Sequence, residues 1–275
     1  MKIIAVYHLL LLCLIITPSA NSAQGDFTPA EYTKNNVLQV PYLRTDYFPE
    51  VLKLALDKTV ESHGPYHMYE QPWIAPKERM RKFLADGRYI RVLWSTTSKK
   101  REQELQAIKF SLIKKLNEYR FLVIHKGEQE KFNQIKTVED LSKFTAVSGS
   151  HWQDTLIFRR NQLPVVTSID TGDLIKMFKL RRGDYFARGA YEVWRELEQA
   201  EFAPFQLEEK LLLRYNADYY FFVNHQDKTL ADRLLIGLQR AEQDGSFDEL
   251  FFSVPEFKRG WNAVKHSNRL LLELE

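Results

Sequence analysis

The sequence predicts an α/β protein, on three observations. Short apolar runs bounded by turn residues alternate with stretches whose apolar residues recur at helical spacing. The clearest run, Phe121-Leu122-Val123-Ile124, reads as a buried strand. No repeat of 20–50 residues and no low-complexity segment interrupts the alternation. Strands alternating with helices of this length imply parallel βαβ units, and such sheets bind ligands at the carboxyl ends of their strands.

The elements follow in order. Val37–Val40 is a short strand, then Phe48–Glu61 a helix with Val51, Leu52, Ala55 and Leu56 on one face, stopped at Gly64-Pro65. Tyr66–Tyr69 is a strand, Lys77–Ala85 a helix closed by Gly87, and Ile90–Trp94 a strand. The spacing predicts a helix over Arg101–Ile108 and a strand over Arg120–His125. Val138–Phe144 is a helix with acidic residues in its first turn. Thr145–Val147 is a strand entering Ser148-Gly149-Ser150, and a helix begins near Trp152. Pro164–Thr167 and Tyr185-Phe186 are strands, while Thr171–Lys179 and Tyr191–Gln199 are helices. Leu211–Leu213 and Tyr219–Val223 are strands. A helix over Leu230–Gln243 ends at Asp244-Gly245, and one or two short helices finish the chain.

The first 23 residues stand apart. Lys2, an apolar core through Leu9–Leu12 to Ile16, a break at Thr17-Pro18 and the small residues Ser19–Ala23 form the three-part layout of a secretory signal. Cleavage is expected after Ser22 or Ala23. The core is shorter than the roughly 20 residues that span a bilayer. Cys13, the only cysteine, lies inside it and follows Leu12, too large for a lipid-anchor site. A mature chain of about 250 residues would then have no thiol chemistry and no disulfide.

Net charge is +3, with both signs mixed along the chain and only short basic runs such as Lys99-Lys100-Arg101. No basic stripe points to nucleic acid, and no further apolar stretch has membrane-spanning length. There is no Gly-rich phosphate loop, no GxSxG and no HExxH. His63 and His67 are separated by Gly64-Pro65, which prevents the helix that would align them on a metal. Asp244–Asp248 lacks the closing carboxylate of a calcium loop. No metal and no cofactor is expected.

Four stretches carry a resemblance. They are Trp94-Ser95-Thr96-Thr97-Ser98-Lys99-Lys100-Arg101-Glu102 with Phe110-Ser111 and Tyr119-Arg120; Thr137–Leu141 with Gly149-Ser150-His151-Trp152-Gln153-Asp154; Met177–Gly189; and Tyr220–Val223 with Leu230-Ala231, Gly237-Leu238 and Asp244–Phe247. In this order they resemble extracellular solute-binding protein family 3, the polar amino acid binders of ABC transporters, and look closest to a divergent proteobacterial branch. The resemblance implies a periplasmic binding protein type 2 fold: two lobes, each a mostly parallel sheet flanked by helices, joined by two crossover strands. Lobe one would hold residues 27–118 and 218–275, lobe two residues 119–217. The crossovers would fall near Asn117–Arg120 and Arg214–Asp218.

The same resemblance implies the site. Arg101 falls where the family places an arginine that clasps a ligand carboxylate, and a guanidinium fork matches that group with two parallel hydrogen bonds. Thr96, Thr97 and Ser98 precede it as further donors. Gly149, Ser150, His151 and Trp152 form a small-residue loop running into a helix N-terminus, where backbone N–H groups favour anions. Trp152 and Trp94 are candidate apolar walls, with Tyr42, Tyr47 and Trp73 near other strand ends. An aspartate about five residues after Asp184 would receive the ligand's amine in the family. Here Gly189 stands at that position, after Arg188, with Glu192 three residues further on. If Arg101 and Arg188 both face the cleft, an anionic ligand is favoured over a zwitterion.

The expected protein is therefore a periplasmic monomer, not an enzyme. It captures a small polar solute, an anion if Arg101 and Arg188 both face the cleft, for an inner-membrane permease or sensor, without nucleic acid or stable membrane insertion. Two alternatives stay open. One is an exported lyase of the cyclohexadienyl dehydratase type, with Glu102, Glu192 or His151 as acid. The other is an interaction domain that has lost its ligand.

Overall fold

The computed structural model of the chain describes residues 37–41, 47–73 and 75–275. The signal segment, Tyr42 and the start of the expected first lobe lie outside the described residues.

The first part contains β1 (Val37–Val40), α1 (Tyr47–Asp57), β2 (His67–Glu70), α2 (Lys77–Ala85), β3 (Leu93–Thr96), α3 (Lys99–Glu104) and β4 (Gln106–Ile108). The middle part contains β5 (Tyr119–His125), β6 (Ala146–Gly149), α4 (Gln153–Arg160), β7 (Val165–Ser168), α5 (Thr171–Lys179), β8 (Tyr185–Gly189), α6 (Val193–Leu197), β9 (Phe205–Leu207) and β10 (Leu211–Arg214). The chain then returns through β11 (Tyr219–Val223), α7 (Lys228–Gln243), α8 (Ser246–Ser253) and α9 (Pro255–Lys265), and ends with β12 (Leu270–Glu273).

Three sheets result. β1 pairs with β2, β11 lies between β3 and β4, and the seven-stranded sheet runs β12-β10-β5-β8-β6-β7, with β9 also on β5. Parallel pairing joins β1 to β2, β6 to β7 and β8, and β10 to β12. Pairing of β5 with β8, β9 and β10, and of β11 with β3 and β4, is antiparallel. β5 and β11 enter from the other sheet, not through a helix on their own, so nothing imposes the parallel sense of a βαβ unit. Antiparallel pairs are therefore more numerous than the alternation alone predicts.

The helix expected over Arg101–Ile108 is divided. α3 ends at Glu104, and Ala107 and Ile108 are buried by joining the edge of β11 as β4. Local periodicity cannot register that pairing, because β11 lies more than a hundred residues away in sequence. β9 and β12 are likewise strands absent from the sequence reading. β12 places residues 270–273 beside β10 in the seven-stranded sheet, whereas the sequence groups them with the first lobe.

The chain passes between the three-stranded and seven-stranded sheets after β4 and again after β10, and the two passages are tied together. Tyr215 N–H donates to Glu118 O at 3.1 Å, and the Asn117 side-chain amide donates to Ala217 O. Below them the buried Arg120 pairs with Asp154 at 2.8 Å, and the Tyr215 hydroxyl donates to the same carboxylate oxygen. Burial alone would discharge such a pair; the mutual charge and hydrogen bonds hold Arg120 protonated and Asp154 ionised.

α7 packs across α1 at very close range. A Cβ at Gly237 would lie 1.9 Å from Ala55 O, so only glycine permits this approach.

Candidate functional site

The site grows from the end of β3. Ser98 has extended backbone and caps α3, accepting the Arg101 N–H at 3.2 Å. This cap fixes the first turn and turns Arg101 back toward the strand, where its Nη1 donates to Thr96 Oγ1 at 3.2 Å. The Arg101 Nε is buried and has no hydrogen-bond partner. Arg101 forms no ion pair with any described residue. Desolvation, reinforced by repulsion from Arg81, pushes its pKa down to about 10. A half-buried guanidinium in this state carries uncompensated charge and an unused donor.

The other predicted donors of this loop are spent on structure. Thr97 is buried, with its hydroxyl on Glu102 at 2.6 Å and its N–H on Asp218 O at 2.7 Å. Trp94 stacks on Phe48 at 6.1 Å and lies half-buried beside the site. Tyr47 turns inward and donates to Leu112 O at 2.7 Å, and Trp73 meets Phe83 and Tyr89 edge-on.

β3 pairs with β11 so that Thr96 stands opposite Tyr219. The Tyr219 ring stacks on Phe48 at 5.2 Å and meets Tyr191, from the turn after β8, edge-on at 6.5 Å. Tyr219 therefore links the Arg101 side of the site to the β8 side.

On that side, the loop after β6 closes on itself. Ser150 N–H donates to Ser168 O and Trp152 N–H to Gly149 O, so two of its backbone donors are already used. Trp152 folds over Gly149, where any Cβ would lie 2.4 Å from the indole. His151 is exposed. Arg188 lies over Trp152 at 5.0 Å and over Phe186 at 4.8 Å. Its fork is taken up by Glu196, at 2.6 and 2.5 Å, with Glu192 at 3.1 Å. Burial opposes that charge, but the two carboxylates outweigh it and keep Arg188 protonated. The guanidinium whose exposure would have favoured an anion is engaged within the protein.

Glu192 occupies an unexpected place. Its Oε1 accepts the Gly189 N–H at 3.0 Å, so a carboxylate from three residues along the chain folds back onto Gly189. It acts electrostatically on Tyr219, Tyr191 and Lys77.

Lys77 and Arg81, on the first turns of α2, complete the set and were not singled out by the sequence. Arg81 is paired with Glu78. Lys77 forms no ion pair with a described residue. Partial desolvation holds its pKa below the ordinary lysine value, with Arg101 and Arg81 repelling and Glu192 attracting. Lys77 therefore lies within electrostatic reach of Arg81, Arg101 and Glu192. A lysine at the start of a helix gives no sequence signal for this, since α2 reads as an ordinary solvated helix.

Among the described residues no cluster of His, Cys, Asp and Glu is arranged to hold a metal, and no helix is long and apolar enough to cross a membrane. A separate groove of about 300 Å³ lies between Phe121, Trp194, Lys210, His266 and Arg269. Its one deep cation, Arg269, is already held by Glu208 and the Leu211 carbonyl.

No family model and no curated protein matches the chain. Its likeness is to solved structures. An amino acid ABC transporter substrate-binding protein from Streptococcus pneumoniae, bound to L-arginine, superposes with a TM-score of 0.60 at 10% identity, over 82% of this chain and 96% of that one. An ancestral amino acid-binding protein described as a precursor of cyclohexadienyl dehydratase gives 0.60 at 11% identity, over 82% and 98%. A putative ABC transporter binding component from Wolinella succinogenes, complexed with lysine, gives 0.57 at 15% identity, over 80% and 95%. At these identities the likeness is one of architecture, and the chain has the two-lobed α/β fold of periplasmic binding proteins.

Proposed function

We propose that this protein binds one small polar solute in the cleft between its lobes and presents it to a membrane partner, a permease or a sensor. The observation that carries the reading is Arg101: half-buried, unpaired, with a buried Nε that has no partner. A desolvated guanidinium left in this state favours a carboxylate ligand, which supplies both the missing charge and the missing acceptors. The fold supports the reading, because its neighbours include amino acid-binding proteins of ABC transporters.

In this reading lobe one comprises residues 27–118 with the return segment from 218, lobe two comprises residues 119–217, and β12 reaches back onto the second lobe. Arg101 holds the ligand, Thr96 and Ser98 set its rotamer and backbone, and Trp94, Tyr219 and Trp152 are the walls. The segment before residue 24 directs export to the periplasm and is removed. Ligand contacts to both lobes stabilise the closed form.

The nominees for lyase chemistry are poorly placed as acids. Glu102 is held by Thr97 and Lys109, Glu192 by the Gly189 N–H and Arg188, and His151 is exposed. A thermal-shift panel of amino acids, dicarboxylates and other small anions on the mature chain tests the binding function. A true ligand at a hundredfold excess over Kd stabilises by about 2.7 kcal/mol. A flat response across the panel, or an equal response in Arg101→Met, contradicts the reading.

A further inference from the structure

We propose that the end of the seven-stranded sheet away from Trp152 and Tyr191 docks peripherally on an anionic lipid surface. Leu180 enters the headgroup region, and the cations around it meet lipid phosphates. This surface is separate from the solute site.

The inference begins with the way β8, β6 and β7 stand side by side. Ala146 pairs with Val165 on one side and Tyr185 on the other, both in parallel, so the loops that enter these strands meet at one edge. Backbone bonds tie them together: Ala146 N–H donates to Pro164 O at 2.8 Å, and Asp184 N–H to Thr145 O at 2.7 Å. α4 and α5 flank the sheet on opposite faces, Phe158 packing with Tyr185 and Phe178 with Phe186, and both helices end at this edge.

Charge divides between the two ends of these strands. Residues 143–145, 159–164 and 179–184 carry six cations, Lys143, Arg159, Arg160, Lys179, Arg181 and Arg182, and one carboxylate, Asp184. The loops that leave the same strands, residues 150–152, 169–170 and 190–192, carry no lysine or arginine. Asp184 accepts the Thr145 N–H at 2.7 Å. Lys143 pairs with Asp140 and Arg181 with Glu128. Arg159, Arg160, Lys179 and Arg182 are exposed and form no ion pair with a described residue. The helix macrodipole accounts for cations in the last turns of α4 and α5. It does not account for Lys143, Arg181 or Arg182, which lie outside those helices.

On the α4 side Glu275, bonded to Asn161 through its backbone, offsets part of the charge. The α5 side is the open one, and there Leu180 is 67% exposed. The turn holds it in place: Arg182 N–H donates to Met177 O at 3.1 Å, and Arg181 takes left-handed backbone with φ 54°. An apolar side chain between Lys179, Arg181 and Arg182 suits a headgroup layer, where apolar groups enter the acyl boundary and cations stay at the phosphates. An acidic protein face would answer the cations and leave Leu180 in water. Docking by this end leaves Trp152 and Tyr191, at the other end of the strands, free for solute.

The test is co-sedimentation of residues 24–275 with phosphatidylcholine vesicles that contain or lack phosphatidylglycerol. Binding is expected with phosphatidylglycerol alone, and it should vanish at about 1 M salt, where the Debye length is about 3 Å. Each cation at such a surface is worth about fivefold in partition, so Lys179→Gln with Arg182→Gln should weaken binding by about tenfold or more. Leu180→Ser should weaken it severalfold. All three residues are exposed, and thermal melting should show the fold intact. Lys228→Gln with Lys258→Gln removes two exposed cations elsewhere and should bind as the wild type does. An equal loss in that control, unchanged binding in either patch variant, or equal binding to vesicles without phosphatidylglycerol overturns the proposal. The solute thermal shift should be the same in all of these variants, so the two readings fail separately.

Discussion

Arg101 and Arg188 are both guanidiniums beside aromatic rings, yet they are in opposite states. Arg188 is compensated by two carboxylates and has side-chain exposure of 11%. Arg101 has a hydroxyl and a ring of Phe222 at 6.0 Å, and nothing of opposite charge close enough to pair. The two should respond differently to substitution. Arg101→Met removes a charge that nothing within the protein needs, so the melting temperature should hold while solute affinity falls 10-fold or more, the scale of a lost charged hydrogen bond. Arg188→Met leaves Glu196 buried without its partner and should cost about 3–5 kcal/mol in denaturant unfolding. Should the Arg188 variant unfold like the wild type, the ion pair is not what fixes that loop. Arg101 was singled out in the sequence because it follows a recognisable Thr-rich loop. Lys77 was not, since it begins a helix that reads as solvated, and Glu192 was named, but as lying three residues from the position expected of a ligand carboxylate. The backward fold of Glu192 onto Gly189 depends on the turn after β8, which local periodicity does not record.

At the scale of elements, what the sequence revealed well was what local chemistry decides. Lys77–Ala85, Thr171–Lys179 and Tyr219–Val223 have the bounds their periodicity predicts. Strands β4, β9 and β12 were missed because each is made by its partner: three or four residues added to β11, β5 and β10. Their apolar residues are too few to register as a period. The packing of α7 on α1 is a further feature that only the fold exposes. Gly237→Ala would push a methyl group into the Ala55 carbonyl, and overpacking of this kind should destabilise by about 1–3 kcal/mol, read as a lower urea midpoint at unchanged slope. Ser98→Ala removes the cap that orients Arg101. It should cost about 1 kcal/mol of stability and also weaken solute binding, a coupling that an exposed serine elsewhere on the surface would not show.

For the whole molecule, the junction of the sheets matters most. Asp218 stands in the second passage, buried, with Oδ1 accepting from Ser111 at 2.7 Å and from the Tyr219 N–H at 2.8 Å, and with Oδ2 unpartnered. Desolvation pushes its pKa up to about 6; Glu118 adds to the rise, and the Ser111 and Tyr219 bonds and Lys115 oppose it. The folded state thus holds this proton more tightly than the unfolded chain does. Its contribution is present at low pH and lost as pH rises from about 4 to about 6, an effect on the order of 3 kcal/mol. Asp218→Asn keeps an acceptor for both donors and abolishes the titration. The stability difference between variant and wild type should therefore swing in the variant's favour across that window, measured by urea unfolding at a series of pH values. A constant difference would mean the carboxylate is hydrated in solution.

The same junction is where the lobes must bend if a solute held by groups from both sides draws them together. Small-angle scattering of residues 24–275, with and without the solute that most stabilises the protein in the thermal-shift panel, measures this directly. The account predicts a smaller radius of gyration on binding in the wild type and no change in Arg101→Met. Binding heat in calorimetry with superimposable scattering curves would contradict it.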